Sequence, residues 1–152
     1  MIRPEELKIG NYVDVCTYVK SVIVPTGLYK RVSAIPRNGV DLTLPSDRED
    51  FILAYQMIEP IPLTEEMFLK CGFIEVPYYE NILQKENIRI HFDKQKSSEV
   101  LFVLYDDDGD ITCQTRVSCL HQLQNLYFAL TGKELDLTNI NQLKNEHELD
   151  YR

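Results

Sequence analysis

The chain has 152 residues and a mass of 17.8 kDa, with 44% hydrophobic and 26% charged residues. That composition fits one ordinary domain or two very small ones and excludes a disordered chain. The net charge is −8, yet residues 1–50 hold seven basic and seven acidic side chains, so the acidic excess lies wholly beyond them and general nucleic-acid binding there is disfavoured.

No apolar run approaches the roughly 18 residues of a membrane-spanning helix. The opening Met1-Ile2-Arg3-Pro4-Glu5-Glu6 turns acidic where a secretory signal turns apolar, so a cytoplasmic protein is expected. Cys16, Cys71, Cys113 and Cys119 have no paired spacing, and His91, His121 and His147 make no metal-binding pattern. Four reduced, mostly buried thiols and no cofactor are expected.

In chain order, the first third is punctuated like a small antiparallel β-structure. Leu7 to Val15 alternates apolar and polar residues, and Val19 to Val24 is rich in β-branched residues and ends at the turn signal Pro25-Thr26-Gly27. Leu28 to Ile35 runs to a second turn, Pro36-Arg37-Asn38-Gly39, followed by alternating Val40–Leu44 and a last strand from Phe51 to Ile58. Five short strands in under about 60 residues predict an SH3-like small β-barrel over residues 1–58.

Residues 59–63, with Pro60 and Pro62, form a stiff connector, because each proline holds the residue before it away from helix. An α-β-β-β-α module is expected over residues 64–137, making the whole an α+β protein. Thr64 caps a short helix with Glu65 and Glu66 in its first turn, and Gly72 stops it, followed by Phe73. Ile82–Phe92, Glu99–Tyr105 and Ile111–Val117 predict a three-stranded antiparallel sheet, with Ile88, Ile90 and Phe92 buried and His91 outward. Asp108-Gly109 suits a two-residue hairpin loop. Ser118 caps a second helix, Cys119–Thr131, whose Leu120, Leu123, Tyr127 and Leu130 form an apolar stripe for that sheet, with Gln122, Gln124 and Asn125 polar beside it. Leu135 and Leu137 add a strand, and residues 138–152 are a polar tail.

Three constellations bear on function. Asp106-Asp107-Asp108-Gly109-Asp110 gathers carboxylates that suit a hard cation, with Asp106, Asp108 and Asp110 as weak candidate ligands. Counting from Asp106, however, the EF-hand glycine and glutamate positions fall on Ile111 and Val117, and a solvated hairpin tip is the preferred reading. No glycine-rich phosphate loop, Gly-x-Ser-x-Gly or His-Glu-x-x-His occurs, which leaves no positive case for catalysis and none for catalytic residues. Tyr78 and Tyr79, in Pro77-Tyr78-Tyr79-Glu80, are candidates for contact with a protein partner.

The stretch His121-Gln122-Leu123-Gln124-Asn125-Leu126-Tyr127-Phe128-Ala129-Leu130-Thr131-Gly132-Lys133-Glu134-Leu135, preceded in order by Leu7–Val13 and Ile58–Glu66, resembles a family of small proteins of gut anaerobic bacteria, their phages and mobile elements. The resemblance implies a phage or mobile-element setting and carries over no activity and no site residues. The expectation is a non-enzymatic module that docks on a host or phage protein. One alternative is nucleic-acid binding by the barrel through Lys20, Lys30, Arg31 and Arg37, and another is a metal-dependent enzyme built on Asp106–Asp110.

Overall fold

The computed structural model describes residues 2–35, 39–43, 51–93, 99–138 and 140. The fold is α+β: the described residues form two five-stranded antiparallel sheets and two α-helices, in two compact units. Neither unit is one continuous stretch. Residues 2–61 group with 120–134, and residues 62–119 group with 135–140.

In the first unit, β1 (Tyr12–Val19), β2 (Val22–Ala34), β3 (Val40–Thr43), β4 (Phe51–Leu53) and β5 (Ile58–Glu59) lie in the order β4-β3-β2-β1-β5. The sheet is a meander until β5 returns to pair with β1, through Asp14↔Glu59 and Val15↔Ile58. β4 and β5 are its edges, and no ladder joins them among the described residues, so the sheet is not a closed barrel. Ile2, Leu7, Val13, Val32, Val40 and Ile58 make its core, with Val15, Ile35 and Tyr55 packed against them.

Two expectations about these strands are corrected. Pro25-Thr26-Gly27 does not separate two strands. β2 runs through it as an irregularity that sets Thr26, Gly27 and Leu28 against Val15, where Gly27 N–H donates to Asp14 Oδ1 (2.8 Å) and Thr26 Oγ1 donates to the Val15 carbonyl (2.6 Å). The reversal falls instead at Lys20-Ser21, whose φ values of 48° and 67° are the two left-handed conformations of a tight hairpin turn. The single strand expected over Phe51–Ile58 is broken by a 3₁₀ turn at Tyr55–Met57. The turn at residues 36–38, Arg37 included, and the tail from 141 onward lie outside the described residues.

The second unit opens with α1 (Glu65–Lys70). Thr64 Oγ1 accepts from Met67 N–H (3.2 Å), and Gly72, at φ 91°, closes the helix while Phe73 N–H donates to the Phe68 carbonyl (3.1 Å). The sheet has five strands where three were expected: β6 (Ile74–Glu75), β7 (Ile82–Lys85), β8 (Ile88–Phe92), β9 (Val100–Tyr105) and β10 (Ile111–Val117), in sequential order. The run Ile82–Phe92 folds back on itself at Glu86-Asn87, where Glu86 takes φ 54°, and Val76–Asn81 turns β6 onto β7. Phe68, fully buried, meets Phe73 and Phe92 edge-on at 5.3 and 5.4 Å. Ile88 and Ile90 are buried as expected, whereas Phe92 is half-buried and His91 turns its Nε2 to a buried position without a hydrogen bond. Leu135 and Leu137 are buried but form no strand.

The second helix, α2 (Leu120–Thr131), starts one residue later than expected and ends at left-handed Gly132. It groups with the first unit, although the expectation had it close the second. The reason is polar. Gln124 Oε1 accepts from Tyr12 N–H (2.8 Å) and its Nε2 donates to the Gly10 carbonyl (3.1 Å). Asn125 donates to the Glu6 carbonyl and accepts from Asn11 Nδ2, both at 2.9 Å. Leu120, Leu123 and Tyr127 of the apolar stripe are buried, while Leu130 is exposed.

Candidate functional site

Among the described residues named for nucleic-acid binding, Lys30 and Arg31 do not share a face. Lys30 and Arg31 are successive on β2 and point to opposite faces; Lys30 is buried, and Arg31 is exposed. Lys20 sits at the Lys20-Ser21 turn. Arg37 lies outside the described residues.

The Asp106–Asp110 loop is built by its own backbone. Asp106 N–H donates to the Asp110 carbonyl (2.8 Å), which leaves Asp107, Asp108 and Gly109 as a three-residue loop with Gly109 at φ 86°, not the two-residue Asp108-Gly109 loop expected. Asp106 Oδ1 accepts from the amides of Asp108 (3.0 Å) and Asp110 (2.8 Å), so this carboxylate already serves to cap the turn. Among the described residues no three His, Cys, Asp or Glu side chains come together in a metal-holding arrangement.

Tyr78 and Tyr79 stand out from the loop between β6 and β7. Tyr78 is fully exposed and Tyr79 60% exposed. The loop is pinned by Val76 N–H to the Ile82 carbonyl (3.2 Å) and Tyr79 N–H to the Val76 carbonyl (3.3 Å). Within it Asn81 holds φ 64°, which asparagine tolerates, and Tyr78 holds φ 69°, which an aromatic residue rarely adopts. Beside the loop lies an open depression of about 700 Å³, lined by both tyrosines, Pro77, Glu65, Glu75 and Glu80 among others.

A second surface was not anticipated. Between Cys16 and Tyr29, β1 and β2 pair only with one another among the described residues, so they leave the sheet as a two-stranded arm. Its cross-strand pairs alternate faces: Tyr18↔Ile23 on one and Val19↔Val22 on the other. All four side chains are exposed, Tyr18 at 61%, Val19 at 51%, Val22 at 60% and Ile23 at 36%. Lys20 is the arm's one charge from Thr17 to Pro25. The sequence signal was there, in a β-branched run with no alternation, but such a run also describes a buried strand.

At the base of the arm, burial raises the Cys16 thiol and the Tyr29 phenol above their ordinary values. His121 is buried in α2, and burial pushes its imidazole below the ordinary value, opposed by Glu6, whose Oε2 lies 3.5 Å away. The hydrogen bond from Arg3 (2.7 Å) holds the Glu6 carboxyl below its usual range. Burial pushes the Cys71 thiol up to about 11. Cys16, Cys71 and Cys119 are buried and Cys113 is half-buried, all four as free thiols. Among the described residues no helix is long and apolar enough to cross a membrane.

The chain matches no protein-family model, no curated protein and no solved structure.

Proposed function

We propose that this protein acts by binding another protein, of host or phage origin, and that the β1–β2 arm is its main docking element. The observation that carries the reading is an arm with apolar side chains on both faces and, among the described residues, unpaired backbone along both edges. Exposed apolar surface of this kind marks interaction sites, and an unpaired strand edge offers main-chain hydrogen bonds to an extended partner segment. Covering a Val or Ile side chain completely is worth about 1.5–3 kcal/mol, so four partly covered residues supply useful affinity. Tyr78 and Tyr79 offer a second contact surface. The strand order β4-β3-β2-β1-β5, with a 3₁₀ turn just before the returning strand, supports an SH3-like reading of residues 2–58. The resemblance carried by His121–Leu135 favours a phage or mobile-element setting.

The test is affinity capture from host lysate with the tagged protein and with a Val19→Ser, Val22→Ser variant, each with and without nuclease. A dominant protein that survives nuclease and is lost with the variant supports the reading. Material that vanishes with nuclease, or is held equally by the variant, overturns it.

A further inference from the structure

We propose that the depression beside Tyr78 and Tyr79 receives an arginine- or lysine-bearing segment of a partner protein, an inference that rests on the protein-binding reading but uses a surface separate from the arm. The depression combines a concave opening, two exposed aromatic rings and a single sign of charge. Glu65 at the start of α1 and Glu75 on β6 contribute carboxylates, and no described lining residue is Lys, Arg or His.

Each ingredient selects the same ligand. Aromatic faces attract ammonium and guanidinium groups through the ring quadrupole, and tyrosine is among the effective rings. Carboxylates at the rim add charge-assisted hydrogen bonds to the same groups and repel phosphate and acidic peptides. An opening about 700 Å³ in volume has room for a long cationic side chain with its flanking backbone. The pinned loop holds Tyr78 outward before any ligand arrives, so little ordering is required on binding. An apolar segment would meet the carboxylates without compensation, and nucleic acid would meet them with repulsion.

The experiment titrates the full chain into a fluorescein-labelled peptide of alternating arginine and serine, at physiological salt, and follows anisotropy. A peptide with glutamine in place of arginine is the reference. We expect the arginine peptide to bind and the glutamine peptide not to. Tyr78→Ala with Tyr79→Ala should weaken binding by about tenfold or more, while Tyr78→Phe with Tyr79→Phe should retain most of it. Glu65→Gln with Glu75→Gln should weaken it comparably, whereas Asp107→Asn with Asp108→Asn, which removes the same charge from the distant hairpin loop, should change it less than about twofold. No binding overturns the proposal. Equal losses from the two charge-removing pairs, or no loss from the tyrosine-to-alanine pair, overturn it also, because binding would then reflect net charge alone. The Val19→Ser, Val22→Ser variant should bind the peptide normally. If that variant loses lysate capture while wild-type protein fails to bind the peptide, this inference falls and the arm reading stands.

Discussion

Replacing Gln124 by alanine isolates the contact that ties α2 to the first sheet. Gln124 is 4% exposed, and its amide satisfies two backbone groups at the entry to β1, the Tyr12 N–H and the Gly10 carbonyl. Truncation leaves both without their partner, and each unsatisfied group costs about 1–3 kcal/mol when water cannot reach it. Alanine returns a few tenths of a kcal/mol in helix propensity. The expected loss is about 2–4 kcal/mol, which for a urea slope of about 2 kcal/mol/M lowers the unfolding midpoint by about 1–2 M. Circular dichroism in a urea titration reads it. Gln124→Glu refines the result: the carboxylate still accepts from Tyr12 N–H but has nothing to donate to Gly10, and only on acidification does a protonated oxygen replace the missing donor. That variant should therefore regain part of its deficit relative to wild type as pH falls. A loss below about 0.5 kcal/mol for Gln124→Ala, the range of ordinary surface changes, would refute the assignment of α2 to this seam.

Three further outcomes follow from local geometry. Thr64→Ala removes the cap on Met67 N–H and should cost about 1 kcal/mol, a fall in Tm of about 2–4 °C by calorimetry, with Thr64→Ser close to neutral. Because burial lowers the folded-state pKa of His121 below its unfolded value, the unfolded chain binds the extra proton; stability is full above the ordinary value of 6.5 and declines as pH falls through it. Urea midpoints measured from pH 7.5 to 5 should show this slope, and His121→Gln should reduce it, leaving the part due to His91, whose imidazole burial also lowers; an unchanged slope would contradict the burial argument. Ellman's reagent should modify about one thiol of the native protein, half-buried Cys113, and all four in denaturant, since Cys16, Cys71 and Cys119 are buried.

Elements whose signals are local were legible. Thr64, Glu65 and Gly72 mark α1 because caps act within one turn of helix, and β9 and β10 lie where their β-branched and aromatic runs placed them. The misreadings share a cause: tertiary partners decided the conformation. Pro25-Thr26-Gly27 reads as a turn until Asp14 and Val15 are placed opposite it, and Lys20-Ser21 carries no glycine or asparagine to announce the reversal. The partners of the α2 amides were not readable, because nothing near Gln124 and Asn125 in sequence shows that Gly10, Asn11 and Tyr12, more than 110 positions earlier, supply them. Of the candidate surfaces, Tyr78 and Tyr79 could be named from the turn-like Pro77-Tyr78-Tyr79-Glu80, although half-burial was the weightier expectation for both; the arm required knowing which strands pair beyond Cys16.

The interleaving of the two units sets an order on synthesis. When β1 to β5 leave the ribosome, the Gly10 carbonyl, Tyr12 N–H, Glu6 carbonyl and Asn11 amide still lack the side chains that will satisfy them. Those side chains follow only after residues 62–119 have been translated, a delay of about 3–12 s at about 5–20 residues per second. Throughout that interval the apolar arm is present on a sheet that has not yet received its helix. A nascent chain of this design therefore presents exposed apolar strand surface for seconds before its helix arrives.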